Sequence, residues 1–254
     1  MAPLQFNAMK KSILIFIASI LVLLLNPKIR AEEALPEKPE PGVIRVLLIG
    51  GGSSHDFEKY FHQADAATLK TAGKMIPAYA GDAPAALKLM PNSDVIVFSA
   101  NHAQYSKPDF QKAINAFADS GHGVITLHAG TWYSWKDELT FNKRFVGGGT
   151  KSHGKGEFKV FNKQPEHPIM KDVPADFKII DEHYRMALDA DNGAQVLAET
   201  GIEPQSKKAY PAVWIVKDDK AKIVGITLGH ADEAHSNPAY QKLLVNAVRW
   251  VAGQ

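Results

Sequence analysis

The hydrophobic pattern of the first half of the chain alternates between short apolar runs and amphipathic stretches. The runs VIRVLLIG (43–50), DVIVFSAN (94–101) and HGVITLHAG (122–130) have the length and composition of buried strands. Between such runs lie stretches of helical periodicity, among them KPDFQKAINAFADSG (107–121), which ends in glycine. This alternation predicts a parallel sheet with helices on both of its faces.

The second half has a different pattern, with more alternation and few helices. Five segments have the pattern of further strands: EFKVFN (157–162), FKIIDEHYRM (177–186), AQVLAE (194–199), AYPAVWIVKDD (209–219) and AKIVGITLGH (221–230). We expect these strands to be partly antiparallel, and either to extend the same sheet or to form a flap. The amphipathic segment 237–253 predicts a closing helix that packs on the sheet. The predicted fold class is therefore α/β.

The N-terminus has the pattern of a secretory signal peptide. Lys10 and Lys11 precede an apolar run over 12–25, which is shorter than the roughly 20 residues that span a bilayer, and the small residue Ala31 follows. We expect export to the periplasm or the cell exterior, with no stable membrane span after signal removal; an uncleaved anchor is the alternative. The predicted divisions are a signal peptide (1–31), a Pro/Glu-rich leader (32–42) and one folded domain (43–254).

Charge and composition exclude several classes of protein. The formal net charge is +2, but the first 31 residues hold four basic side chains and no acid. The remainder carries 25 Lys+Arg against 27 Asp+Glu, without a basic run, so a nucleic-acid partner is not expected. The absence of cysteine excludes disulfides, thiolate zinc sites, iron–sulfur clusters and a cysteine nucleophile.

Histidines gather where the predicted strands end. In an open α/β sheet, ligands bind beyond the carboxyl ends of the strands. Four separate strands each deliver one histidine to that edge, and two of these histidines have a polar neighbour there. The residues are His55 with Asp56, His102 with Asn101, His128, and His230. We expect them to share one site.

Imidazole is suited to two kinds of chemistry at such a site. It coordinates transition metals, and it acts as a general acid or base near neutral pH. Because the sequence has no HExxH or other closely spaced metal motif, a metal site would be assembled from distant segments. The candidate ligands of a divalent transition metal such as zinc are His55, His128 and His230. The glycines at 50–52 lack the spacing of a nucleotide-binding loop, so no nucleotide cofactor is expected.

The segment DEHY (181–184) places further polar groups on a predicted strand. Period-two alternation puts Glu182 and Tyr184 on one face, and Asp181 and His183 on the other. Glu182 and Tyr184 could hold sugar hydroxyls or act as acid and base. The alternative is an edge strand with a solvated polar face.

Three more features bear on the site. Trp132 follows His128 closely, and its flat apolar face suits either a sugar or the core. His153 belongs to the glycine-rich segment 145–154, which we interpret as a lid or a solvated loop. His128 itself occupies the strand-to-helix turn where related folds present a serine or cysteine nucleophile, which disfavours acyl transfer. Three other histidines are expected at the surface: His62, His122 and His235.

Taken together, these residues resemble the ThuA-like (trehalose utilisation) family, whose domain is similar to class I glutamine amidotransferases. The resemblance spans Val43 to Gly253. It rests on Gly51, Gly52, His55, Asp56 and Phe57; LHAG (127–130); Val146, Gly147, Gly148 and His153; HPI (167–169); Asp181, Glu182 and Tyr184; PAVW (211–214); TLGH (227–230); and RWVAG (249–253). Two departures are DDKAKIV (218–224), which stands where the family has a Gly-Lys-Gly-Arg-type turn, and two serines inserted before His55.

The resemblance implies a flavodoxin-like, class I glutamine amidotransferase-like three-layer sandwich and a role in sugar metabolism. The leading hypothesis is an exported enzyme acting on a glycoside or 3-keto-glycoside by hydrolysis, elimination or isomerisation. Its catalytic candidates are His55, His128, Glu182 and His230, and its substrate-binding candidates are Asp56, Asn101, His102, Trp132, His153 and Tyr184. The alternatives are a non-catalytic periplasmic carbohydrate-binding or accessory protein, and a hydrolase or amidotransferase unrelated to sugar. Homo-oligomer formation stays open.

Overall fold

The computed structural model describes residues 34–37, 39–136 and 138–254. The expected signal peptide lies outside these residues. Within the described ranges, no helix is long and apolar enough to cross a membrane. The described part of the leader contacts the domain. Leu35 is buried, and the carbonyl groups of Pro36 and Glu37 each accept a hydrogen bond from the guanidinium of Arg45.

Strands and helices alternate through the first half, as the pattern predicts. The elements are β1 (Ile44–Ile49), a π-helical turn (Glu58–Ala64) that continues into α1 (Asp65–Thr71), β2 (Met75–Ala80), α2 (Ala83–Leu89), β3 (Val95–Phe98), α3 (Pro108–Asp119) and β4 (Gly123–Leu127). Local signals set the helix starts. The Asp82 side chain accepts the N–H of Ala85 and caps α2, and Pro108 opens α3.

The second half consists mainly of strands and ends in the closing helix. Its elements are β5 (Gly148–Gly149), β6 (His153–Asn162), β7 (Asp176–Tyr184), β8 (Ala187–Leu188), β9 (Gln195–Thr200), β10 (Pro211–Val216), β11 (Ile223–Ile226), α4 (Asp232–His235) and α5 (Pro238–Val251). Short helical turns precede β5, at Leu139–Phe141 and Asn142–Val146.

Within the residues that the structure describes, nine strands form one sheet in the order β2-β1-β3-β4-β11-β10-β9-β6-β7. The strands from β2 to β11 in this order are parallel, and the remaining pairs are antiparallel. The predicted α/β class, with extra strands from the C-terminal half, is therefore confirmed. Alternate side chains of the buried strands serve opposite faces: Leu48 and Val97 belong to one core, Leu47 and Ile96 to the other. Two cores separated by one sheet make a three-layer sandwich.

The β6–β7 hairpin settles whether the extra strands extend the sheet or form a flap. β6 pairs with β7 along its whole length, but it pairs with β9 only through Val160, Phe161 and Asn162. One end of the hairpin thus extends the sheet. The other end, which carries His153 and Tyr184, is free of β9 and can reach over the carboxyl edge of the central strands.

Two expectations about the surface are wrong. The first part of the segment 145–154 is neither a lid nor a solvated loop. Residues 145–150 are buried, and Gly148–Gly149 pairs with β8. His62 and His235 are also buried instead of lying at the surface. His62 stacks on Tyr79, and His235 faces Asp65, so each imidazole has a partner that sequence spacing does not reveal.

Candidate functional site

Three of the four strand-end histidines meet at the carboxyl edge of the sheet, and Glu182 of β7 joins them. One nitrogen from each of His55, His128 and His230 and one oxygen of Glu182 all lie within 4.8 Å of one another. His55 follows β1, His128 follows β4 and His230 follows β11. The parallel direction of these three strands is what delivers their following residues to the same edge.

His128 is the buried centre of this cluster. It follows β4 directly, has φ +43° and is fully buried. Its Nδ1 lies 2.6 Å from the carbonyl oxygen of Thr227, which can only accept, so Nδ1 carries the proton and Nε2 has a free lone pair. Burial lowers the pKa of His128 to about 3, so the ring is neutral at physiological pH.

Two hydrogen bonds hold His55 beside His128. The Nε2 atoms of the two rings are 2.9 Å apart. Nδ1 of His55 lies 2.6 Å from the Ser54 hydroxyl, which also accepts a bond of 2.6 Å from the Asn101 amide. Because Nε2 of His128 has no proton, Nε2 of His55 is the donor between the two rings, and the Ser54 hydroxyl can donate to Nδ1 of His55. The two inserted serines therefore leave His55 within the site, and Ser54 is a supporting residue that sequence reasoning did not assign.

Glu182 brings a carboxylate to four imidazoles. Its Oε2 lies 3.3 Å from His230 Nδ1, 3.4 Å from His128 Nε2 and 3.8 Å from His55 Nε2. Its Oε1 lies 3.6 Å from His153 Nε2. Burial by itself raises the pKa of Glu182, but the facing rings of His230 and His55 outweigh burial and lower it to well below the usual range. Glu182 is therefore an ionised carboxylate at neutral pH.

His230 is positioned through its backbone. The Asp181 carboxylate accepts the N–H of His230 at 3.0 Å and the N–H of Gly229 at 2.8 Å. Nδ1 of His230 faces Glu182 at 3.3 Å, and among the described residues it is buried without a hydrogen-bond partner. On the outer side of the ring, the ammonium group of Lys155 lies 3.1 Å from Nε2. Lys155 was also missed from sequence, although its place opposite Glu182 in the β6–β7 ladder puts both on one face.

Aromatic residues line the remaining side of the cluster. The Tyr184 ring stacks on His128 with centroids 4.4 Å apart, and its hydroxyl lies 3.1 Å from Nε2 of that histidine. Trp132 is half-buried, with its ring 5.5 Å from Tyr184 and 6.0 Å from His153. Tyr184 and Glu182 both reach the cluster because β7 alternates as predicted, whereas Asp181 points to the opposite face.

Some predicted site residues lie apart from this cluster. His102 is exposed, and its Nδ1 accepts the N–H of Gln104. Asp56 is exposed and accepts the N–H of Lys59 at the start of the following helical turn. The Asn101 amide donates a hydrogen bond to the Ser54 hydroxyl, which in turn contacts His55. The structure thus groups six of the ten candidates directly: His55, His128, His153, Glu182, Tyr184 and His230. A seventh, Trp132, lines the cluster beside His153 and Tyr184.

The grouped donors have the composition of a transition-metal site. Three imidazoles and one carboxylate form a set that zinc accepts. The bond from His128 Nδ1 to a backbone carbonyl is the kind of outer contact that orients a metal-binding histidine. The unpartnered Nδ1 of His230 also points into the cluster. The residues therefore fit a divalent cation, and they include Glu182 in addition to the three histidines predicted as ligands.

The fold and the site together define a three-layer α/β protein with a histidine, His128, at the turn that follows the central strand β4. The family model described as ThuA, trehalose utilisation, matches residues 45–251. The chain therefore belongs to the ThuA family. No match was found among curated proteins.

Solved structures agree with this fold. A ThuA-like protein from Parabacteroides merdae has a TM-score of 0.73 at 19% identity, over 83% of this chain and 90% of that one. The protein PurLQS from Thermotoga maritima has a TM-score of 0.56 at 11% identity, over 82% and 99%. Agd3, described as a carbohydrate deacetylase, has a TM-score of 0.50 at 13% identity, over 80% of this chain and 32% of its own. At such identities the likeness shows the fold alone.

Proposed function

We propose that this protein is an exported enzyme that acts on a glycoside or 3-keto-glycoside at the His/Glu cluster. The observation that carries the proposal is the position of Glu182, whose carboxylate lies within 4 Å of four imidazoles. Imidazoles and carboxylates are among the side chains that act as general acids and bases in enzymes. The family's description as trehalose utilisation and the name of Agd3 as a carbohydrate deacetylase both support a sugar substrate.

The protonation states of the site favour base catalysis. Glu182 is ionised and His128 is neutral, so each has a lone pair available at neutral pH. A carbonyl group at C3 of a sugar acidifies the adjacent C–H, and Glu182 or a histidine could remove that proton. The Tyr184 hydroxyl, 3.1 Å from His128, can donate to an oxygen of the substrate. Elimination or isomerisation of a 3-keto sugar would use these two functions, and hydrolysis would use them on an attacking water.

A divalent transition metal such as zinc is part of the proposal. His55, His128 and His230 would hold it together with one oxygen of Glu182, so that the other oxygen, Oε1, stays available as the base beside His153. When bound, such an ion supplies Lewis acidity that polarises a carbonyl or activates a water. The chain's own residues would then orient the sugar, with Trp132 offering a flat face and His153 a hydrogen bond at the exposed side of the cluster.

Metal analysis followed by a substrate screen tests the proposal. The purified protein should hold about one equivalent of a transition metal, and His230→Ala should lose it. His122→Gln is the matched control, since His122 precedes β4 at the opposite edge of the sheet and stacks on Phe117. We expect turnover of a 3-keto-glycoside by the metal-loaded protein. The absence of turnover for every glycoside and keto-glycoside tested would overturn the enzymatic proposal.

The second candidate is a non-catalytic carbohydrate-binding or accessory protein. The observation that favours it is the pair of aromatic rings, Trp132 and Tyr184, beside imidazoles that can bind hydroxyl groups. In that case calorimetry would detect affinity for an unmodified disaccharide, and long incubation would give no product. A mature N-terminus that begins within the leader would support export for either candidate.

A further inference from the structure

A second cluster of buried polar groups lies beside the proposed site. Asp65 of α1, His235 of α4 and Tyr240 of α5 are each no more than 2% exposed. His235 Nδ1 lies 2.7 Å from one Asp65 oxygen, and the Tyr240 hydroxyl lies 3.1 Å from both oxygens. Ionisable groups are rarely buried to this extent without a partner, so each of the three depends on the others.

The partners of His235 define its charge. Its second nitrogen, Nε2, lies 3.1 Å from the carbonyl oxygen of Gly229. A carbonyl only accepts hydrogen bonds, and so does the Asp65 carboxylate, which receives the Tyr240 hydroxyl as well. Both ring nitrogens of His235 must then carry protons. Burial alone would lower the pKa of His235, but Asp65 and the Gly229 carbonyl raise it overall.

Gly229 is also held from its other side. Its N–H donates to Asp181 at 2.8 Å, and the N–H of His230 donates to the second Asp181 oxygen at 3.0 Å. Gly229 has φ +119°, a conformation that residues with a side chain rarely adopt. The peptide group between Gly229 and His230 is therefore hydrogen-bonded at both ends. Its carbonyl accepts from the His235 cation and its N–H donates to the Asp181 anion, while Gly229 has a backbone conformation that favours glycine.

We infer that His235, as a buried imidazolium paired with Asp65, is a positioning residue that holds Gly229 so that the His230 ring faces Glu182. This inference rests on the proposed function only in that His230 serves that site. His235 touches neither His230 nor Glu182 through its side chain; it acts through the Gly229 carbonyl. The charge-bearing or titratable groups around His235 are Asp65, Tyr240 and Tyr60, with Asp181 beyond Gly229.

Two variants and one matched control test the inference. His235→Gln removes the cation, and Asp65→Asn removes its counter-ion. Asp94→Asn is the control, because Asp94 also pairs with a partly buried cation, Arg45, but at the other end of the sheet. Cobalt(II) alone is the probe, read by its visible absorption spectrum. We expect both site variants to bind cobalt about 10- to 100-fold more weakly, with an altered spectrum, while Asp94→Asn binds normally. An equal loss in Asp94→Asn would overturn the positioning role.

Nitrogen-15 NMR of the histidine rings, without added metal, keeps the inference testable even if no metal binds. Both ring nitrogens of His235 should be protonated at neutral pH, and a single protonated nitrogen would overturn the imidazolium. The ring resonances of His230 should shift in His235→Gln but not in Asp94→Asn, and unchanged His230 resonances would overturn the positioning role. If wild-type protein binds no cobalt while these NMR results hold, the metal part of the proposed function fails and this inference stands.

Discussion

Glu182 Oε2 lies 3.4 Å from Nε2 of His128, although β7 is the outermost strand of the sheet and β4 is a central one. Four strands, β11, β10, β9 and β6, separate them in the strand order. Strands of one sheet are about 4.8 Å apart, so a flat sheet would hold these two residues far from each other. They meet because the free end of the β6–β7 hairpin reaches over the carboxyl edge, and the site exists only through this arrangement.

The first prediction concerns Glu182→Gln. The amide keeps the size of the side chain but removes its charge and its ability to take a proton. We expect turnover of a 3-keto-glycoside to fall about 100-fold or more. The control is Glu157→Gln in the same hairpin, where the exposed carboxylate pairs with Lys178 and should not matter for turnover. Steady-state kinetics on both variants checks this, and full turnover by Glu182→Gln would exclude Glu182 from catalysis.

The second prediction separates two tryptophans. Trp132 is half-buried beside Tyr184, whereas Trp135 is buried against Phe98 and Phe141. Trp132→Ala should weaken sugar binding about fivefold, since a ring contact contributes roughly 1 kcal/mol, with little change in stability. Trp135→Ala should cost about 3–5 kcal/mol of unfolding free energy. Calorimetric titration and urea unfolding measure the two effects. Large destabilisation by Trp132→Ala would instead assign Trp132 to the core.

The third prediction concerns the backbone at His128. With φ +43°, any side chain there carries a steric cost of about 1–2 kcal/mol that glycine escapes. His128→Gly should therefore be at least as stable as His128→Ala, despite the greater flexibility of unfolded glycine. Leu127 precedes it with φ −116°, so Leu127→Ala should be more stable than Leu127→Gly. Urea unfolding of the four variants checks both orders, and the same order at both positions would contradict the strained turn.

The fourth prediction concerns the pH dependence of the Arg45–Asp94 pair. Burial alone would raise the pKa of Asp94, but hydrogen bonds from the Arg45 guanidinium and backbone N–H lower it below its usual range. The pair's contribution to stability is therefore complete above about pH 4, the unfolded pKa, and is lost as pH falls through the lower folded pKa. We expect Asp94→Asn to cost about 1–2 kcal/mol at pH 7. Urea unfolding should show this cost shrinking towards pH 3, and a constant cost would contradict the prediction.

Much of the fold could be predicted because local patterns carry it. The strands at 43–50, 94–101 and 122–130 are short, nearly continuous apolar runs. This composition is typical of strands that are buried on both faces of a sheet. The closing helix Pro238–Val251 shows its buried face in its own periodicity. The separation of Glu182 and Tyr184 from Asp181 likewise follows from the period of two along one strand.

The site could be predicted only in part. The end of a strand shows at which edge of the sheet a following residue lies, but it does not show how close that side chain comes to the others. His55, His128 and His230 follow parallel strands and do meet. His102 follows β3 in the same way, yet its side chain is exposed. His235 shows the opposite failure: nothing in its neighbourhood along the chain indicates burial, since its partner Asp65 lies on α1. The catalytic roles of His55, His128 and His230 stay predictions.

By itself, the sequence determined the α/β alternation, the strand faces and the edge at which histidines collect, since each depends on residues near one another in the chain. Only the tertiary structure decided that the β6–β7 hairpin reaches over that edge and brings Glu182 to His128. It also decided that His235 is buried against Asp65 and hydrogen-bonded to the carbonyl of Gly229. The physical reason is that such contacts are made between side chains on elements far apart in the chain, and their distances depend on how whole layers pack.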